Sequence, residues 1–170
     1  MKKSVKITFA SITAALVSAL MSASLIPNIT FAVPAVAGLL MIPVFAQCGV
    51  IWALLSFFVS ALTSFFISDK TSWLLFVCFF GFYPILKPLI EKIKKPVIEW
   101  TLKLLIFNSS AVICYFVEIL IIDLKLKLWL LAAAFILGNI VFVLYDIAVS
   151  RVVAFYYLRL DIKISMILKG

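Results

Sequence analysis

Six apolar runs, each at or near the length needed to cross a bilayer, fill this 170-residue chain almost end to end. A helix needs about 20 apolar residues to span the hydrocarbon core. Hydrophobic residues make up 66 % of the chain, against roughly 45–50 % in soluble domains. A soluble fold of this length would have too little polar surface left to cover such a core. Most of the chain is therefore expected to meet lipid, where the backbone must satisfy its own hydrogen bonds and the runs read as helices. A β-barrel would show alternating segments of about ten residues, and these runs do not alternate. The expected fold class is all-α: one transmembrane domain over residues 1–170, a bundle of six transmembrane helices.

The flanks place the spans. The first covers Ile7 to Ile26 and stops at Pro27-Asn28, and the second covers Thr30 to Ala46. The second is short and holds Pro34, Gly38 and Pro43, so a kink is expected in it. Gln47-Cys48-Gly49 leads into the third, Val50 to Ile67, and the polar stretch 68–72 precedes the fourth, Trp73 to Ile90. The basic stretch Lys92 to Pro96 ends that span. The fifth, Val97 to Ile122, is long enough to tilt, and the sixth runs from Leu128 to Val149. From Ser150 to Gly170 apolar residues alternate with Arg151, Arg159, Lys163 and Lys169, which suits an amphipathic tail on the membrane surface.

Orientation follows from the fifteen basic residues. With both termini inside, eleven fall on the cytoplasmic side, including Lys2, Lys3, Lys6, Lys87 and the run from Lys92 to Lys95, and three on the outer side: Lys70, Lys125 and Lys127. That bias obeys the positive-inside rule and predicts a multi-pass cell-membrane protein, of bacterial type, with cytoplasmic ends. The net charge of +8 is accounted for by anionic membrane lipid, and no nucleic-acid partner is expected. The start of the chain also has the shape of a signal peptide, with Ser22-Ala23-Ser24 as its cleavage region. The apolar run, however, outlasts the usual signal core, so the first helix is expected to be retained.

The absences restrict chemistry. There is no histidine, which removes imidazole proton transfer, Ser-His-Asp triads and His-bearing metal sites. Cys48, Cys78 and Cys114 lie on separate segments without a CxxC and read as small apolar fillers. No phosphate-binding loop, GxSxG or HExxH motif occurs. Neither an enzyme, a cofactor nor a metal site is expected.

Polar residues inside the spans carry what remains, because each is costly in lipid and marks an interface or a site. On the fifth span Asn108, Tyr115 and Glu118 share one helical face, and on the sixth Asn139 and Asp146 share another. Asn108 and Asn139 can bond each other between helices, or join a ligand site. Glu118 can face water, pair with Lys125, or serve the same site. Glu99 and Lys103, four residues apart, read as an ion pair. Trp73, Trp100 and Trp129 fall near span ends, as in an aromatic belt. In the first span Ala15, Ala19 and Ala23 recur every four residues, as do Ala10 and Ala14, giving a smooth face onto which another helix can close, inside the bundle or from a separate subunit.

The basic N-terminus, the AxxxA-bearing first helix and the stretch "LIPNITFAVPAVAGLLMIPVFAQCGVIWALLSFFVSALTSFF" together resemble the first half of a substrate-binding S component of an energy-coupling factor (ECF) transporter. The resemblance covers roughly residues 1–67 by pattern and the rest by topology. It implies a subunit that captures a small molecule, such as a vitamin, on the outer side and passes it inward with a membrane coupling subunit and its ATPase pair. The Ala15, Ala19 and Ala23 face would then dock the coupling subunit. The ligand site would lie in the outer halves of the fourth to sixth helices, near Trp73, Asn108, Tyr115, Glu118, Trp129 and Asn139. An alternative is a non-catalytic scaffold similar to MreD-type cell-shape proteins, with "FFGFYPILKPLIEKIKKP" as a partner-facing elbow. A small channel or lipid-handling protein is a third reading.

Overall fold

The computed structural model describes residues 2–122 and 128–160, and these are helical almost throughout. The elements are α1 (Lys3–Ser22), α2 (Ala32–Leu39), α3 (Met41–Cys48), α4 (Val50–Ile67), α5 (Lys70–Leu75), α6 (Tyr83–Glu91), α7 (Pro96–Ile122) and α8 (Leu128–Phe155). A 3₁₀ turn at Ala23–Leu25 closes α1, and π-helical turns occupy Phe76–Phe80 and Tyr156–Leu160. Five segments are long and apolar enough to cross a membrane, and α2 with α3 form a shorter apolar one, Ala32–Cys48. Large side chains such as Leu62, Phe66, Val97, Leu120 and Leu144 stand exposed on the outside, as lipid-facing residues of a multi-pass membrane protein do.

Serines bind α1 to α4. Ser56 Oγ donates to the Ala10 carbonyl at 3.0 Å, Ser60 Oγ to that of Ala14 at 3.4 Å, and the Ser18 and Thr63 hydroxyls bond each other. The partners advance together along both chains, so α1 and α4 run parallel. Between them α2 and α3 must carry the chain back along the bundle, and their 17 residues give about 25 Å at 1.5 Å per residue. The kink expected there takes the form of a restart at Leu40, which puts Pro34 and Pro43 each in the first turn of a helix. Proline is tolerated there because those N–H groups have no intrahelical acceptor. Gly49, at φ +92°, makes the single-residue turn from α3 into α4.

The ends of the helices fall into two sets. At one end Ser24 Oγ accepts from the Asp69 amide at 3.0 Å, Ser72 Oγ donates to Thr30 at 2.8 Å, and Asp69 caps α5 through the Thr71 and Ser72 amides. At the other, Gln47 donates to Tyr156; here also lie Lys2 to Lys6 and Lys92 to Lys95, and this is called the basic end. One core cluster joins α1 to α4 with Phe76 and Ile85. A second, built of Ile42, Phe79, Tyr83, Phe142, Tyr145 and Val149, attaches α8 to that body. The spans of α7 and α8 are buried least.

The sequence suggests an amphipathic helix from Ser150 onward; up to Leu160 the chain is helical, α8 running through Ser150 unbroken into the π turn. No glycine or proline stands there to end it, so the helix continues. Residues 161–170 of that expected tail lie outside the described residues.

Gly38 fixes how closely α2 meets the π turn. A Cβ at this position would sit 2.0 Å from the Phe80 carbonyl oxygen and 3.1 Å from the Tyr145 hydroxyl. Gly38→Ala is expected to destabilise the bundle by about 1–3 kcal/mol through overpacking, read as a lower melting temperature in detergent; an unchanged melting temperature would refute this close approach.

Candidate functional site

The most concentrated chemistry lies towards the basic end, where α6, α7 and α8 meet. Tyr83, Lys87 and Glu91 follow at four-residue intervals on one face of α6. Lys103 stands seven residues inside α7, about 10 Å from its start, and Asp146 faces them from α8. Lys87 is 1 % exposed, Lys103 2 % and Asp146 4 %. Tyr83 and Lys87 both bond Asp146 Oδ1, and Lys87 also reaches the Asp146 carbonyl and Glu91 Oε1, each at 3.1 Å. Lys103 donates to Glu99 at 2.7 Å, Glu91 at 3.1 Å and Asp146 Oδ2 at 3.3 Å. An ammonium has three N–H donors; Lys103 uses all three, while Lys87 places two on Asp146 and is ion-paired with Glu91.

The expected Glu99–Lys103 pair is present, as one edge of this larger cluster. Lys87, counted by sequence among the cytoplasmic rim, is instead buried, because Asp146 and Glu91 offer its charge a partner inside. The Gly81 to Pro88 elbow exists as a break at Gly81-Phe82 between the π turn and α6. Within it Tyr83, Pro84, Ile85 and Lys87 are buried, while Phe82, Leu86, Pro88 and Leu89 are half-buried. Tyr83, Lys87 and Glu91 are not among the sequence-based site residues, although their four-residue stripe on α6 is a signal for them; Asp146 stands out in the sequence as an in-span carboxylate, without its partners.

At mid-depth Asn108 and Asn139 clasp α7 to α8. Each amide donates to the other's oxygen, at 3.2 and 3.1 Å, and back to its own helix at Leu104 and Phe135. This is the interhelical bond weighed for them, and it uses both donors of each amide. Trp73 donates its indole N–H to the Ala61 carbonyl at 2.8 Å and meets Phe65 edge to face. Trp129 is exposed on α8. Neither tryptophan joins the asparagines in one site.

Tyr115 and Glu118 do reach a cavity. At mid-depth α7 and α8 part from the body and leave a chamber of about 570 Å³ whose walls include Phe31, Phe79, Phe80, Phe107 and Tyr145. A second space of about 310 Å³ shares Leu75, Ala111 and Gly138's neighbourhood with it and is bordered by Tyr115 and Glu118. The π turn supplies Phe79 and Phe80, and such turns are frequent at functional sites. The possible pairing of Glu118 with Lys125 lies outside the described residues.

The alanines of α1 divide between two faces. Ala10 and Ala14 are buried against α4, while Ala15 and Ala19 point outward and Ala23 is half-buried in the closing turn. Beside Ala15 a groove of about 460 Å³ runs between α1 and α4, with Ser11, Trp52 and Leu55 in its walls. All three cysteines are free.

Asp146→Asn should remove the charge that both lysines share. Breaking a buried pair costs about 3–5 kcal/mol, so the variant is expected to melt far below wild type. Glu91 has a side chain 41 % exposed, and its loss leaves Lys87 and Lys103 balanced by Asp146 and Glu99; Glu91→Gln should cost no more than about 1 kcal/mol. Equal losses for the two variants would show that the cluster does not centre on Asp146. Compared with models of known protein families, with curated proteins and with solved structures, the chain matches none of them.

Proposed function

We propose that this protein is the membrane-embedded substrate-capture subunit of an ECF-type importer, crossing a bacterial cell membrane six times with both termini in the cytoplasm. The observation that carries the reading is the chamber at mid-depth between α7, α8 and the body, with the adjoining smaller space extending towards the end opposite the basic one, which is the outer end under the positive-inside rule. Its volume is in the range of small-molecule sites. The outward-facing Ala15 and Ala19, beside the α1–α4 groove, support docking of a coupling subunit with its ATPase pair. In this reading no catalysis or cofactor belongs to the chain itself.

A scaffold similar to MreD-type proteins is the second reading. It is favoured by the mutual bonding of Asn108 and Asn139 and by the carboxylates around Lys87 and Lys103, which commit those N–H donors and charges to partners within the protein.

Affinity purification in mild detergent with mass spectrometry separates the two. A coupling subunit and two ATPases are expected with the wild-type protein, whereas cell-wall synthesis partners would replace the importer by the scaffold. Ala15→Trp with Ala19→Trp should abolish that capture without lowering the melting temperature, since the larger side chains block close helix approach but remain apolar. Reporter fusions after Lys95 and Gly170 should read cytoplasmic and one after Lys70 external; an external C-terminus would overturn the topology.

A further inference from the structure

We infer that the chamber takes a cationic amphiphile: an apolar body among the phenylalanines, with a protonated amine against Glu118. The inference rests on the capture-subunit reading and adds the chemical class of the cargo.

The space exists because small residues stand where α7 and α8 face each other. Ala111 on α7 and Gly138 on α8 border both the larger and the smaller cavity, so the two adjoin. A Cβ at Gly138 would already touch the Phe107 ring at 3.4 Å, which shows how little side chain would begin to fill the gap. The deep part is mostly carbon-lined, with Phe79, Phe80 and Phe107 from two elements; its polar groups are Ser110, Cys114 and the Tyr145 hydroxyl, which donates to the Ala35 carbonyl. Such a surface holds an apolar or aromatic body and gives an anion or a sugar-like polyol little to bond.

The mouth differs. Tyr115 and Glu118 stand three residues apart on α7, on the same face, and both border the smaller cavity. The other carboxylates among the described residues are occupied: Asp69 caps α5, and Glu91, Glu99 and Asp146 hold the two buried lysines. Glu118 is half-buried yet has no ion pair or hydrogen bond to its side chain among the described residues. A carboxylate partly withdrawn from water and with no partner among the described residues favours a cation. The aromatic faces along the way add to that preference, since a ring attracts an ammonium and not a carboxylate. A ligand that is apolar at one end and positively charged at the other satisfies both parts of the cavity.

The test uses the full chain in nanodiscs of zwitterionic lipid, with empty nanodiscs as the blank for partition into lipid. Octylamine and octanoate share an apolar body and differ in the sign of the head. By titration calorimetry octylamine is expected to bind saturably and octanoate not to. Glu118→Gln should weaken octylamine about tenfold or more, the loss of one charge-assisted bond. Ala111→Phe should abolish binding by filling the chamber. If that variant fails to melt like wild type, Glu118→Gln alone decides. Equal binding of amine and carboxylate, an unaffected Glu118→Gln, or no saturable binding of octylamine would overturn the proposal. A coupling subunit co-purifying with a protein that ignores octylamine would remove the cargo class and leave the importer standing. Octylamine bound as expected by a protein that captures cell-wall synthesis partners would leave the site standing and remove the importer.

Discussion

A polar group within hydrocarbon has no water to bond, so it must find its partner inside the protein. The tertiary structure is arranged around that requirement. Serine hydroxyls on α4 bond backbone carbonyls of α1, and the Asn108–Asn139 clasp holds α7 to α8. Asp146 gathers Tyr83, Lys87 and Lys103 from two other helices. Apolar side chains cannot supply such specificity here, because lipid tails solvate them as well as a neighbouring helix does. Polar contacts and close approach of small residues therefore select which helices touch.

The two halves of the bundle use these devices differently. Between α1 and α4 the contact is made of alanine and serine, which let the backbones come near enough for side chain to carbonyl bonds. Between α7, α8 and the body the contacts are few and localised: charges towards the basic end, one amide clasp at mid-depth, and aromatic rings beside them. With the helices pinned at those points, the remaining length stands apart, and the chamber is the result. The clasp and the ionic cluster thus shape the cavity without lining it. That arrangement suits a site whose ligand is recognised by shape and by one charge at its mouth.

Glu91 occupies a different position from its partners in the cluster. It is the third carboxylate for two lysines, and the one most open to water at the end of α6. Its position next to exposed Lys92, Lys94 and Lys95 lets the surrounding positive rim offset the extra negative charge. Asp146, with no such rim within reach, depends on Lys87, Lys103 and Tyr83 alone.

The sequence by itself determined that the chain is helical and built for lipid. Length, apolar content and the absence of alternation leave helices as the way to satisfy the backbone in hydrocarbon. The Glu99–Lys103 pair was legible for the same kind of reason, since four residues along a helix are neighbours whatever else the chain does. The Asn108–Asn139 bond was legible as one of two outcomes, and only the contact of α7 with α8 chose it. Lys87 looked like one more cytoplasmic cation, because nothing in its own stretch of chain indicates that Asp146, 59 residues away, will lie beside it. In the same way, the period of four in α1 could not say that Ala10 and Ala14 would face α4 while Ala15 and Ala19 face outward. The chamber was invisible in the sequence, since a cavity is the space between elements and depends on how far apart the tertiary contacts hold them.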